Sequence, residues 1–404
     1  MFIANSNSGN LKHLRTIATC LAIVMAAGLA SAAETPAEDH PGNSHFLRGA
    51  YQWGSVLQTN DFLKGDNESG EPIENFMSAR LEFGWQTDGS KDWHHAWNFP
   101  TFGIGLYGAN YNADEELGTP TSLYGFYEWP LGRPGNWTFN FLIAFGLTND
   151  WEPYDPVNNP KNTAMGLGRS VHIEVGASAE YRLARRWSLI GGITGTHFSN
   201  GGTQLPNHGL NQVGPIVYVQ WDTDEPVKPP VRRHGLAYKK NWDWNLAFSA
   251  GKRNINLEFD DPDLAEQYAN QSYLISNITF GAGYQFSYRS RVAFGLDFCY
   301  DGTVEDLEKI DAYNNGTNVE TKGSDNLELG FYGGYEIFAH NTELIIHFGY
   351  RAFTKEVPGR LPKFYQRLGV RQFVWKDMFA GLNVRFHELG SADNLEWNIG
   401  FRAR

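Results

Sequence analysis

The chain has 404 residues, of which 15% are aromatic and 19% charged, with 44 glycines and a formal net charge of −12. An acidic balance of this kind excludes nucleic acid as a partner, because phosphate binding needs a basic surface. Past the N-terminal segment no run approaches the roughly 18 apolar residues of a membrane-spanning helix, so that is excluded as well. Abundant aromatics and glycine with a negative mean hydropathy instead fit a transmembrane barrel, in which only alternate residues meet lipid.

The chain opens with Lys12 and Arg15 before an apolar run from about Ile17 to Leu29, and then Ala30-Ser31-Ala32. This is the pattern of a secretory signal peptide, so residues 1–32 are expected to be removed by cleavage after Ala32. Cys20 follows Thr19 early in the run, without the small residue that a lipoprotein site needs before its cysteine. Only Cys299 survives processing, so no intrachain disulfide can form, and it reads as a small hydrophobe.

Strand-like segments with two-residue alternation follow, separated by turn signals. In chain order they cover 46–58, 73–86, 99–110, 120–130, 136–147, 171–184, 186–198 and 211–221. The second half continues with 242–256, 272–286, 290–300, 326–338, 342–353, 363–374, 377–387 and 394–402. With the N-terminus in the periplasm, links after even-numbered strands are expected to be short and those after odd-numbered strands longer. Leu131–Gly135, Ala184–Arg185, Ser287–Arg289, Ala339–Asn341 and Trp375–Lys376 fit as short turns, and 59–72, 148–170, 257–271 and 301–325 fit as loops. The link at 87–98 breaks the rule by being long. The end of the chain, Trp397 to Phe401, reads as a terminal aromatic strand, and Trp and Tyr at strand ends read as membrane girdles.

Residues 222–241, with Pro226, Pro229 and Pro230, read as an extended linker between residues 33–221 and residues 242–404. The fold class is therefore all-β, an antiparallel transmembrane β-barrel. The reading taken first is a single barrel of about 16 strands, with two eight-stranded halves as the alternative; unpaired edges are too costly in lipid for anything but closure.

The hairpin from Gly195 to Asn211 carries the chemistry. Residues i and i+2 of a strand share a face, so His197 and Ser199 are neighbours by construction. A serine hydroxyl becomes a good nucleophile when an adjacent imidazole takes its proton. Odd positions of the seventh strand (Trp187, Leu189, Ile193) and of the eighth (Val213, Val217, Val219, Trp221) are the more apolar and should face lipid. His197, Ser199 and Asn211 share that parity. Three polar groups on a lipid-facing surface are costly unless they act, and a lipid headgroup ester is the substrate within their reach.

This hairpin resembles the active-site hairpin of the PagL-type lipid A 3-O-deacylases, eight-stranded outer-membrane barrels with a His-x-Ser-Asn segment followed by an Asn and then the third catalytic residue. The resemblance covers His197 through Asn211, with strands 1–8 matching the family's whole barrel. It implies a Ser199 nucleophile, a His197 base, and an oxyanion hole from the amides near Asn200 and Gly201 with the Asn207 side chain. The family's third member is a glutamate, whereas Asn211 stands in its place here. An asparagine can orient the imidazole but offers no charge to stabilise it once protonated. Glu174 has inward parity and is a poor substitute. Residues 242–404 have no counterpart in the small family barrel and no second His-x-Ser-Asn block, so no chemistry is assigned to them.

His94, His95 and His208 are scattered in loops without ligand spacing, so neither metal nor cofactor is expected. Asp301, Glu305 and Asp306 read as a solvated outer face, or as one that bridges divalent ions with lipopolysaccharide. The resulting expectation is an outer-membrane ester hydrolase that removes a fatty acyl chain from lipid A, with lipopolysaccharide and the Gram-negative outer membrane as its partners. The alternative of a different class is a porin-like or structural barrel with a degenerate active site. A phospholipase on the same catalytic logic is a third reading.

Overall fold

The structure, a computed structural model, describes residues 44–223, 231–255, 264, 267–268, 271–318, 321–388 and 390–403. The expected signal peptide lies outside the described residues, as do the three prolines of the linker. Sixteen antiparallel strands form: β1 Ser44–Leu57, β2 Asn75–Gln86, β3 Thr101–Asn110, β4 Gly118–Gly132, β5 Trp137–Trp151, β6 Ser170–Ala184, β7 Trp187–Ser199 and β8 Leu210–Asp222 in the first half. The second half holds β9 Asn241–Arg253, β10 Tyr273–Gln285, β11 Ser290–Asp301, β12 Leu327–Ala339, β13 Thr342–Phe353, β14 Phe364–Trp375, β15 Met378–His387 and β16 Ser391–Ala403. Every expected strand is present, and alternation decides its faces. Along β7 and β8, Ile193 and Val219 are more than half exposed while Ile190 and Tyr218 are buried.

Of the two closures that the sequence allows, the structure adopts two eight-stranded barrels rather than one of sixteen strands. In the first half β8 returns to β1, pairing Leu47 with Trp221, Gly49 with Val219 and Tyr51 with Val217. That register sets outward apolar residues beside outward apolar ones and inward Arg48 beside inward Gln220, so the free edge of β8 is satisfied without the second half. In the second half β16 returns to β9, from Trp397 opposite Ala250 to Ala403 opposite Trp244. β8 ends at Asp222 and β9 begins at Asn241, and each belongs to a barrel that is already closed.

Both lumens are filled, as small barrels require. In the first, Arg48 pairs with Glu82 and with Glu128 (2.9 Å), and Arg80 with Glu174 (2.7 Å). In the second, Arg291 joins Asp243 and Glu336, Arg402 lies 2.8 Å from Glu343, and Arg367 bridges Asp297 and Glu396 at 2.9 Å each. Charges this deep persist only when paired, and here each arginine faces carboxylates from other strands. At the outer end of the first barrel an apolar plug adds Phe198, Leu210, Trp151, Tyr111 and Met165, directly behind the hairpin of interest.

The long link at 87–98 has a structural reason. It carries a short helix, α1 (Asp92–Ala96), that reaches the second barrel. Trp97 Nε1 donates to the Phe338 carbonyl at 2.7 Å, Trp93 stacks on His340 at 5.0 Å, and Tyr288 donates to Asp92 at 2.9 Å. The linker joins in through Arg232, which donates to the His95 carbonyl. His94 and His95 serve this fold, accepting or sharing hydrogen bonds with Gly89 and Arg233. A second helical turn, α2 (Asp114–Leu117), caps an outer loop, and a longer helix, α3 (Val304–Asn315), fills the link after β11. There the structure corrects the solvated-cluster expectation in part: Asp301 is buried and accepts from Thr303, and Asp306 accepts from Tyr273, while Glu305 is exposed as expected.

Candidate active site

The hairpin between β7 and β8 places the predicted residues by strand register. His197 lies directly opposite Asn211, and Ser199 is the last residue of β7. All three have the outward parity expected of them, at the end of the barrel away from the linker. His197 Nδ1 meets Asn211 Oδ1 at 2.8 Å. Because that oxygen can only accept, Nδ1 carries the proton and Nε2 is left with its lone pair, the tautomer a base needs. Glu174 lies inside, as its parity predicts, held by Arg80 and by the Thr196 hydroxyl (2.9 Å).

Ser199 is 8% exposed although it faces outward. Its hydroxyl oxygen accepts from the Gly201 amide at 3.0 Å and from Asn207 Nδ2 at 2.9 Å; neither donor is His197. The Asn200 amide, in turn, donates to Asn207 Oδ1 at 2.9 Å and thereby aims the Asn207 amino group at the serine. Two of the three groups expected to hold an oxyanion therefore converge on one point, and the third orients one of them. The Asn200 side chain closes the turn by donating to the Gln204 carbonyl at 2.7 Å.

The hairpin is held from behind and from the side. Phe198 and Leu210 point inward into the apolar plug, fixing the two strand ends that carry the site. The amides of His208 and Gly209 donate to the carbonyls of Thr163 and Ala164 in the link after β5. Gly201 and Gly202 have φ of +65° and +77°, a conformation that L side chains rarely adopt, and they lie against the second barrel. A methyl group on Gly201 would stand 2.5 Å from Leu395 Cγ, and one on Gly202 would stand 2.7 Å from the Ala392 carbonyl oxygen. Sequence reasoning missed this neighbour. The two consecutive glycines after Ser199-Asn200 are the only local signal, and they do not say what comes close.

The arrangement provides a hydroxyl, an oriented imidazole next to it on the same face, and two convergent N–H donors. Such a set suits acyl transfer. Two family models match the chain: lipid A 3-O-deacylase (PagL) over residues 77–220, and the acyloxyacyl hydrolase C-terminal domain over residues 242–404. The second half, for which the sequence offered no family counterpart, is thus matched by a model of its own. Among solved structures, the crystal structure of the outer membrane enzyme PagL is similar at 16% identity and TM-score 0.28, covering 43% of this chain and 97% of that one. OccAB1 of Acinetobacter baumannii is similar at 11% identity and TM-score 0.23, covering 92% and 99%. A mutant Rh. blastica porin is similar at 10% identity and TM-score 0.17, covering 89% and 99%. Comparison with curated protein sequences gives no match.

Proposed function

Because the chain belongs to the lipid A 3-O-deacylase (PagL) family of outer-membrane ester hydrolases, we propose that it removes a fatty acyl chain from lipid A through Ser199 and His197. In this reading Ser199 Oγ attacks the acyl carbonyl carbon while its proton passes to His197 Nε2. The carbonyl electron pair moves onto oxygen, where the Gly201 amide and Asn207 Nδ2 receive it. Collapse of that intermediate expels the sugar alkoxide, which takes the proton from His197, and leaves the acyl group on Ser199. Water then repeats the sequence with His197 as base, releasing the fatty acid and restoring the serine.

The observation that carries this reading is the position of the set. His197, Ser199 and Asn211 share the outward face at the outer end of the first barrel, where the porin-like reading supplies no role for them. An acyl ester near the headgroup of the outer leaflet meets that face without leaving the membrane. The porin-like alternative loses its premise, since the sixteen-stranded lumen is not formed and both smaller lumens are filled with paired side chains.

The test is mass spectrometry of lipid A from cells carrying wild type, Ser199→Ala, or no gene. Wild type should lack one acyl chain that the other two retain. Identical lipid A in all three would refute the assignment. Offering purified phospholipid to the isolated protein separates a phospholipase from a lipid A deacylase.

A further inference from the structure

We propose that the second barrel is a positioning element for the hydrolytic site, with Leu395 and Val384 bracing the Gly201–Gly202 turn and so holding the Gly201 amide in place. The proposal rests on the reading of Ser199 as nucleophile and goes beyond it, since that reading uses nothing after Asn211.

Three observations carry it. The first is closeness. A Cβ on Gly201 would meet Leu395 at 2.5 Å and Val384 Cγ2 at 3.3 Å, and one on Gly202 would meet the carbonyl oxygens of Ala392 and Asp393 at 2.7 and 3.0 Å. The turn is therefore seated on the outer ends of β15 and β16, with room for no side chain between them. The second is what that turn holds. The Gly201 amide is one of the two donors on Ser199 Oγ, so the braced residue is itself part of the convergent pair.

The third is the shape of the second barrel at this point. Leu395 has the parity of Trp397, Ile399 and Phe401, which are 43%, 62% and 49% exposed on the same strand, yet Leu395 is only partly exposed, beside the turn. β15 ends at His387 and β16 begins at Ser391, so the outer link there is very short, whereas that between β11 and β12 runs from 302 to 326. A long loop at this corner would stand in the way of the turn.

The physical consequence follows from the turn's conformation. Two successive residues at positive φ have few side-chain contacts of their own to fix them, and glycine has the most backbone freedom to lose. An external wall limits that freedom. A donor displaced by about 1 Å from the developing oxyanion costs on the order of 100-fold in rate, comparable to losing it. Ground-state binding of the lipid depends far less on the same donor, so the brace acts on kcat rather than KM.

The experiment uses the purified full-length protein in detergent with lipid A as substrate, comparing wild type, Ser199→Ala, Leu395→Ala, Leu395→Ile and Ile399→Ala. Ile399 faces outward on the same strand, away from the turn, and serves as the control. Folding of each variant is checked by its compact, heat-modifiable migration on a gel. Leu395→Ala should lower kcat by about 10- to 100-fold with KM within a factor of two. Leu395→Ile should recover most of kcat, and Ile399→Ala should match wild type. An active wild type and dead Ser199→Ala, with Leu395→Ala at wild-type kcat, would overturn the brace while leaving the catalytic reading intact. An equal loss in Ile399→Ala would also overturn it, as general weakening of the barrel. Equal, background-level hydrolysis by wild type and Ser199→Ala would overturn the catalytic reading itself.

Discussion

Replacing Asn211 by aspartate should speed the enzyme, and the size of the gain can be worked from one contact. In the structure His197 Nδ1 donates to Asn211 Oδ1 at 2.8 Å, a bond between neutral partners. Such a bond contributes about 1 kcal/mol net, whereas one with a charged partner contributes about 1.5–3 kcal/mol. In the proposed mechanism the imidazole becomes positive in the transition state, so a carboxylate opposite it is worth about 1 kcal/mol more than the amide at that moment. Since 1.36 kcal/mol is tenfold in rate, Asn211→Asp should raise kcat about fivefold. There is a second contribution of the same sign. An amide turned over presents its NH2 to Nδ1 and forces the imidazole proton onto Nε2, where it cannot accept from the serine; a carboxylate has no such unproductive orientation.

Asn211→Ala removes the bond altogether and should lower kcat about fivefold or more, with KM little changed. The assay is initial-rate release of fatty acid from lipid A at pH 8, well above the ordinary carboxylate range, so that the introduced aspartate is ionised. The expected order is aspartate, asparagine, alanine. An alanine variant as fast as wild type would refute the idea that this bond orients the base. An aspartate variant slower than wild type would show that the cost of a carboxylate at the membrane rim exceeds its charge stabilisation of the imidazolium.

Other consequences concern the seam between the barrels and their lumens. Trp97→Phe keeps an aromatic side chain but removes the indole donor to the Phe338 carbonyl, which should cost about 1–3 kcal/mol in urea unfolding. Burial pushes His94 down to about 4, with Lys91 and His340 adding to the shift against Asp88. His340 is likewise pushed down to about 4 by burial and by Lys91. Both then bind fewer protons folded than unfolded, so their neutral forms favour the folded state above about pH 6.5 and that contribution is lost as pH falls toward about 4. Unfolding midpoints should drop across that window, and His94→Gln with His340→Gln should flatten the drop. Arg291→Ala removes the cation between Asp243 and Glu336 and should destabilise the second barrel by about 3–5 kcal/mol, read as a lowered denaturant midpoint. In planar bilayers the wild-type protein should give no porin-sized conductance steps; steady steps of that size would contradict filled lumens.

The faces of the strands were legible because alternation is a local property. His197 and Ser199 share a face whatever the rest of the chain does, and parity alone put Asn211 with them and Glu174 on the other side. Closure was not legible in the same way. A strand's period says which face is apolar but not which edge it meets, and β8 has suitable outward residues for pairing either with β1 or with a strand of the second half. The choice rests on the register of Leu47 with Trp221 and Tyr51 with Val217, which exists only once the first seven strands have curled round.

Besides the proline-bearing linker at 222–241, the local trace of the two-barrel arrangement was the long link at 87–98, and its meaning depended on partners more than two hundred residues away. Trp97 and Trp93 find Phe338 and His340 there. The same limit applies at the site. That the Asn200 amide is spent on Asn207 follows from the turn's path rather than its composition, and that Leu395 stands against Gly201 follows from how two finished barrels dock. That His197 and Ser199 stand together on one face of a hairpin can thus be read from spacing alone. The proposed brace on the Gly201 amide belongs instead to the surface between the two barrels, so the second barrel's contribution to rate is open to measurement in a way that its sequence never suggested.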